Sequence, residues 1–173
     1  MSGFNNIGCI YSDDNSVHCT GFVVRKAISE RDISLIITSH SNINHVDIVD
    51  KKMFVRFDNG KTTEIKLHVI NNGIVFFMPI IPLYDVVEGS CSFNMYNNNY
   101  YGYKKDTTYY LWKYDGYIRQ VSSSSNDEYF DADGMIVANF EGVVVGMIVD
   151  NKIMNHKDIQ NILSKVLDDY FEH

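Results

Sequence analysis

The sequence predicts a mostly β protein: two small antiparallel β-barrels followed by a C-terminal α-helix. Three observations predict it. Short apolar, β-branched runs recur along the chain, each closed by Asn, Asp or Gly turn signals. The only two prolines, Pro79 and Pro82, fall together and divide those runs into two blocks. The final stretch alone switches to a helical period, with Ile159, Ile162, Leu163, Val166 and Tyr170 on one face. The expected units are 1–80 and 81–155 for the two barrels and 156–173 for the helix.

In order, residues 7–11 read as a short strand and S-D-D-N-S as a polar turn. Residues 17–24 form the next strand, in which Gly21 marks a bend or a close backbone approach. Residues 25–32 read as a charged connection and 33–39 as a strongly apolar strand that ends in T-S-H. Strands at 53–57 and 62–70 flank the turn Asp58-Asn59-Gly60, and Asn72-Gly73 joins the second of them to 74–78. The second block offers strands at 87–95, 100–103, 108–113 and 117–121, then the serine loop 122–126. The turn Asp131 to Gly134 leads into a hairpin of 135–138 and 143–149. Asn155 is positioned to cap the helix.

Composition narrows the function. A hydrophobic content of 45% with 13% aromatics belongs to a folded globule. A formal charge of -7 argues against a nucleic-acid backbone or an anionic membrane as main partner. The three cysteines, Cys9, Cys19 and Cys91, are odd in number and lack metal spacing, which reads as free thiols in a reducing compartment. No secretory leader and no membrane-length apolar run is visible. The chain therefore reads as cytoplasmic, with no metal and no cofactor expected.

The candidate chemistry starts at His40. A histidine directly after an apolar strand sits at a barrel rim, held rigidly yet able to reach solvent, and imidazole suits proton transfer near neutrality. Downstream, D-A-D-G-M-I-V-A-N and E-G-V-V-V-G-M-I form the second feature. Together with C-T-G-F-V-V and I-T-S-H, these stretches resemble the chymotrypsin-like protease superfamily, especially small viral 3C-like and nidovirus-type serine proteases. The resemblance runs over nearly the whole chain.

That resemblance implies an endopeptidase, of viral polyprotein-processing type and acting in the host cytoplasm, with a polypeptide substrate or peptide-like partner. It makes His40 the general base and places the nucleophile at residue 132, with the backbone N–H groups of Phe130 and Ala132 as oxyanion donors. Residue 132 is alanine, which has no atom able to attack a carbonyl. Either a serine or cysteine has been replaced there, or the chain is a natural pseudoprotease that binds a partner through the old cleft. The flanking glycines of the family pattern are Phe130 and Asp133, and only Gly134 is kept. For the acidic third member the candidates are Asp127 and Glu128, with Asn72 and Glu64 as alternatives. Val145, Gly146, Met147 and Ile148 are the expected substrate wall; its apolar G-M-I suggests a small or hydrophobic residue at the cleavage point.

A further resemblance concerns His18, Tyr101 and Lys105. A His, Tyr and Lys set on a protease-like scaffold resembles the poxin nucleases, which cleave cyclic dinucleotides without a metal. The aromatic cluster from Tyr96 to Trp112 reads as barrel packing.

Overall fold

In the computed structural model, the described residues are 7–28, 31–43, 48–57, 60–81, 107–114, 118–122, 129, 131–140 and 144–171. Six strands, β1 (Ile7–Ser12), β2 (His18–Ile28), β3 (Arg31–Ser39), β4 (Met53–Phe57), β5 (Thr62–Asn71) and β6 (Ile74–Pro79), close into a barrel in the order β1-β2-β3-β6-β5-β4. Closure by β1 on β4 leaves this sheet no edge. Five further strands, β7 (Thr108–Trp112), β8 (Ile118–Ser122), β9 (Ile136–Ala138), β10 (Val144–Val149) and β11 (Lys152–Asn155), form a second sheet in the order β11-β10-β9-β7-β8. Helix α1 (His156–Phe171) follows directly.

The central strands of the barrel are apolar without interruption because both of their faces are buried. Antiparallel register aligns Phe22 with Ile37 and Ile37 with Phe76, a row facing outward, while Val23, Ile36 and Phe77 form the adjoining inward row. The inward row joins Ile10, Val55, Phe57 and Ile65 in the barrel interior. The outward row, with Leu35 and Ile74, meets Ile136, Met147 and Val149 of the second sheet and Ile159, Leu163 and Val166 of α1. A third cluster, built on Tyr109, Leu111, Val137, Val145 and Ile148, lies on the other face of the second sheet.

Most expected strands are present, and three departures are informative. Residues 25–32, read as a connection, continue the ladder: Arg25 pairs with Ser34 and Ile28 with Arg31, so β2 and β3 form one long hairpin. Backbone pairing tolerates the polar side chains that made the segment look like a loop. Strand β11 was not foreseen; Asp150 and Asn151, at φ 51° and 66°, form a two-residue turn that folds it back on β10. The strands expected at 87–95 and 100–103 lie outside the described residues. Gly21 is the close approach the sequence suggested, since a Cβ there would meet Ile10 Cδ1 at 2.3 Å. At the helix start, the Asp158 N–H donates to Asn155 Oδ1 at 3.0 Å, the expected cap.

Two outcomes follow. Phe76→Ala removes a fully buried ring from the core between the sheets, and chemical denaturation should show a loss of about 3–5 kcal/mol. His156 begins α1 and is buried, and burial together with Lys157 lowers its pKa below the ordinary 6.5. The unfolded chain therefore binds this proton more readily. The contribution is complete above about pH 6.5 and is lost as pH falls through the lowered folded value. Thermal melts from pH 7.5 to 5 should fall less steeply for His156→Gln than for the parent chain; equal slopes would show that His156 is not responsible.

Candidate functional site

The site forms where the end of β3 meets the turn before β9. Strand β3 delivers Thr38 and Ser39, both fully buried, into a single 3-10 turn, His40–Asn42. Thr38 Oγ1 donates to the Thr20 carbonyl at 2.8 Å, pinning the strand end to β2. Asn42 Nδ2 donates to Thr38 Oγ1 at 3.2 Å and to the Asp133 carbonyl at 3.0 Å, which carries the connection to the second sheet. The Asp133 carboxylate completes it. Its Oδ2 accepts from Ser39 Oγ at 3.3 Å and from Ser41 Oγ, and its Oδ1 accepts the Asn151 N–H at 2.8 Å. Hydrogen bonds to an ionised acceptor are stronger than neutral ones.

The turn that presents Asp133 is tightly built. Asp131 at φ 67° and Gly134 at φ 85° reverse the chain, and the Met135 N–H donates to the Ala132 carbonyl at 2.9 Å. The Gly134 N–H donates to the Ile148 carbonyl at 2.8 Å, and the Ile148 N–H returns to Met135 at 3.0 Å. Only glycine fits at 134. A Cβ there would lie 2.4 Å from Asn42 Nδ2 and 3.1 Å from Thr38 Oγ1, besides requiring a left-handed backbone.

The residues expected from the sequence fall as follows. His40 is half-buried, and its N–H donates to the Gly73 carbonyl at 2.8 Å. The side chains that cross from its turn to the Asp131–Gly134 turn are those of Ser39, Ser41 and Asn42. Ala132 is at 0% exposure, packed in the apolar cluster with Tyr129, Val137 and Ile148. Val145, Met147 and Ile148 are likewise fully buried, alternating between two cores, and Gly146 lies against the Met154 carbonyl. Their side chains support the sheet from inside. Asn72 is exposed, at φ 52° in the β5–β6 turn. Glu64 sits near the opposite end of β5 from that turn, roughly 20 Å along the strand from Asn71. Asp127, Glu128, Phe130, Tyr101 and Lys105 lie outside the described residues.

The residues brought together are thus neighbours of those expected: Ser41 follows His40, and Asp133 follows Ala132. The available signal was the second aspartate of D-A-D-G placed directly before the one retained glycine. Chemically, the junction is a carboxylate saturated by hydroxyl and amide donors. A carboxylate by itself is a weak base toward a serine hydroxyl. Among the described residues, no group of three or more His, Cys, Asp or Glu side chains could hold a metal ion. None of the described helices is long and apolar enough to cross a membrane.

The closed six-stranded barrel, the five-stranded half-barrel that stands where a second closed barrel was expected, and the C-terminal helix are the arrangement of the chymotrypsin fold. The solved structure of Deg5, a chymotrypsin-fold protease, superposes on 91% of this chain and 87% of its own with a TM-score of 0.64 and 11% sequence identity. No protein-family model matches the sequence, and no curated protein matches it.

Two substitutions test this construction. Gly134→Ala should destabilise the fold by more than about 2 kcal/mol, because the methyl group meets Asn42 and strains the turn. Asp133→Ala strips the acceptor from three donors and should lower stability by about 2–3 kcal/mol in urea unfolding. A neutral result for the second would mean that the donors are equally well served by water.

Proposed function

We propose that the chain is a pseudoprotease, a chymotrypsin-fold protein that binds a polypeptide partner at the junction of its barrels and does not cleave it. The single observation that carries this reading is the Asp133 carboxylate, held by Ser39, Ser41 and Asn151 at the barrel junction. The burial of Ala132 supports the same conclusion. A serine hydroxyl introduced there would enter an apolar cluster instead of facing a bound peptide. The fold shared with Deg5 supports a polypeptide as the partner class.

The endopeptidase reading, in which residue 132 is a replaced nucleophile, forecasts cleavage once a nucleophile is restored. On the pseudoprotease reading, Ala132→Ser and Ala132→Cys should both remain inert toward a broad peptide library and unlabelled by a fluorophosphonate or an electrophilic peptide probe. Peptide cleavage by either form, abolished in turn by His40→Ala, would overturn the pseudoprotease and restore the protease.

A second reading is favoured by one observation. His18 is exposed at the start of β2, and exposed Arg56 lies on the same outer face of the barrel, a cation suited to a phosphodiester. On the poxin-like reading, the unmodified chain turns over cyclic dinucleotides and His18→Ala does not. Absence of turnover by the parent chain removes that reading.

A further inference from the structure

The outer face of the first barrel carries a cluster that the junction does not use. Register places Cys9 of β1 between Thr20 of β2 and Arg56 of β4, and Tyr11 between His18 and Phe54. Cys9 Sγ lies 3.2 Å from His18 Nε2, within reach of proton transfer between thiol and imidazole. The Arg56 guanidinium lies 5.5 Å from the Tyr11 ring centre and 5.8 Å from that of Tyr114, and Arg56 Nε donates to Tyr114 Oη at 3.3 Å. These contacts hold a permanent positive charge on the face of the barrel that carries Cys9. Among the described residues, the ionisable groups around Cys9 are His18 and Cys19 of β2, Arg56 of β4, Tyr11 on its own strand and Tyr114 from the second sheet.

We propose that Cys9 is a covalent-modification site: His18 accepts its proton, Arg56 stabilises the thiolate, and peroxide-sized oxidants react with it. Cys9 is buried at 1% exposure while His18 is exposed, so small reagents enter as the His18 ring turns aside while large electrophiles are kept out. The thiolate attacks one oxygen of hydrogen peroxide. An S–O bond forms as the O–O bond breaks, the sulfur is oxidised to a sulfenic acid, and the peroxide is reduced to water with the proton held on His18. Cys19 cannot follow this course. Although half-buried as a residue, it turns its thiol to the barrel interior beside Thr38, with neither imidazole nor guanidinium bonded to it among the described residues, and desolvation pushes that thiol up to about 12.

The test is a peptide-level measurement of alkylation by iodoacetamide on the full folded chain. In the parent protein, Cys9 should label with a pH midpoint at least about one unit below the free-thiol value of about 8.5. Cys19 should stay unlabelled and serves as the control within each sample. His18→Gln should slow Cys9 labelling at pH 7 about tenfold and move the midpoint upward. Arg56→Gln, checked for an unchanged melting curve, should move it in the same direction by less. Prior exposure to dilute hydrogen peroxide should block labelling of Cys9, and dithiothreitol should restore it. The proposal is overturned if Cys9 labels only on unfolding, or if the midpoint is the same with and without His18.

Discussion

The core between the two sheets is the constraint on which everything else rests. Phe22, Leu35, Ile37, Ile74 and Phe76 leave the first barrel outward and meet Ile136, Met147 and Val149, with α1 laying Ile159, Leu163 and Val166 over the same mass. Strands β2, β3 and β6 are therefore held from both sides, and β9 and β10 from both sides as well, since Val137, Val145 and Ile148 face the third cluster. Side chains so enclosed interdigitate at close packing and cannot slip by one residue without exposing one apolar row and burying another. The positions of the strand ends follow from that, and with them the relation of the β3 end to the turn before β9.

At this rigid seam the polar residues complete the join. Thr38, Asn42 and Gly134 approach so closely that no side chain fits at 134, and the Asp133 carboxylate is shared by donors from both sheets. Buried polar groups need partners, and here Ser39, Ser41, Asn42 and Asn151 supply one another's. In this chain the seam is joined by hydrogen bonds among its own side chains, so the β3 end and the turn before β9 move as one unit.

The outer face of the barrel follows different rules. There Tyr11 stacks on Phe54 at 5.5 Å, and Arg56 is held against Tyr11 and Tyr114, so the alternate positions of β1 and β4 carry chemistry while Ile10 and Val55 carry packing. Nearby, Asp14 gathers Ser12, Ser16 and Lys51 around the β1–β2 turn, and those donors hold its carboxyl well below the usual range. Being exposed, this ion pair orders the turn more than it stabilises the protein.

The sequence by itself determined the secondary structure to a close approximation, because turn chemistry and periodicity are local. Asn72-Gly73 adopts the left-handed pair its composition requires, strand β4 spans Met53–Phe57 as expected, and Ile159, Ile162, Leu163 and Val166 of the helical face are buried. Continuous apolar runs in β3 and β6 announced strands buried on both faces. Local pattern failed where polar residues entered a ladder, as in the Arg25 to Asp32 hairpin, and where a two-residue turn added β11. The site was legible only as a neighbourhood. Motif order located the ends of β3 and of the Asp131–Gly134 turn, but the pleat of a strand and the sense of a tight turn decide which of two adjacent residues faces across a seam. Tertiary packing alone buried Ala132, turned Asp133 toward Ser41 and set Cys9 against His18, since those pairings join residues that no local rule connects.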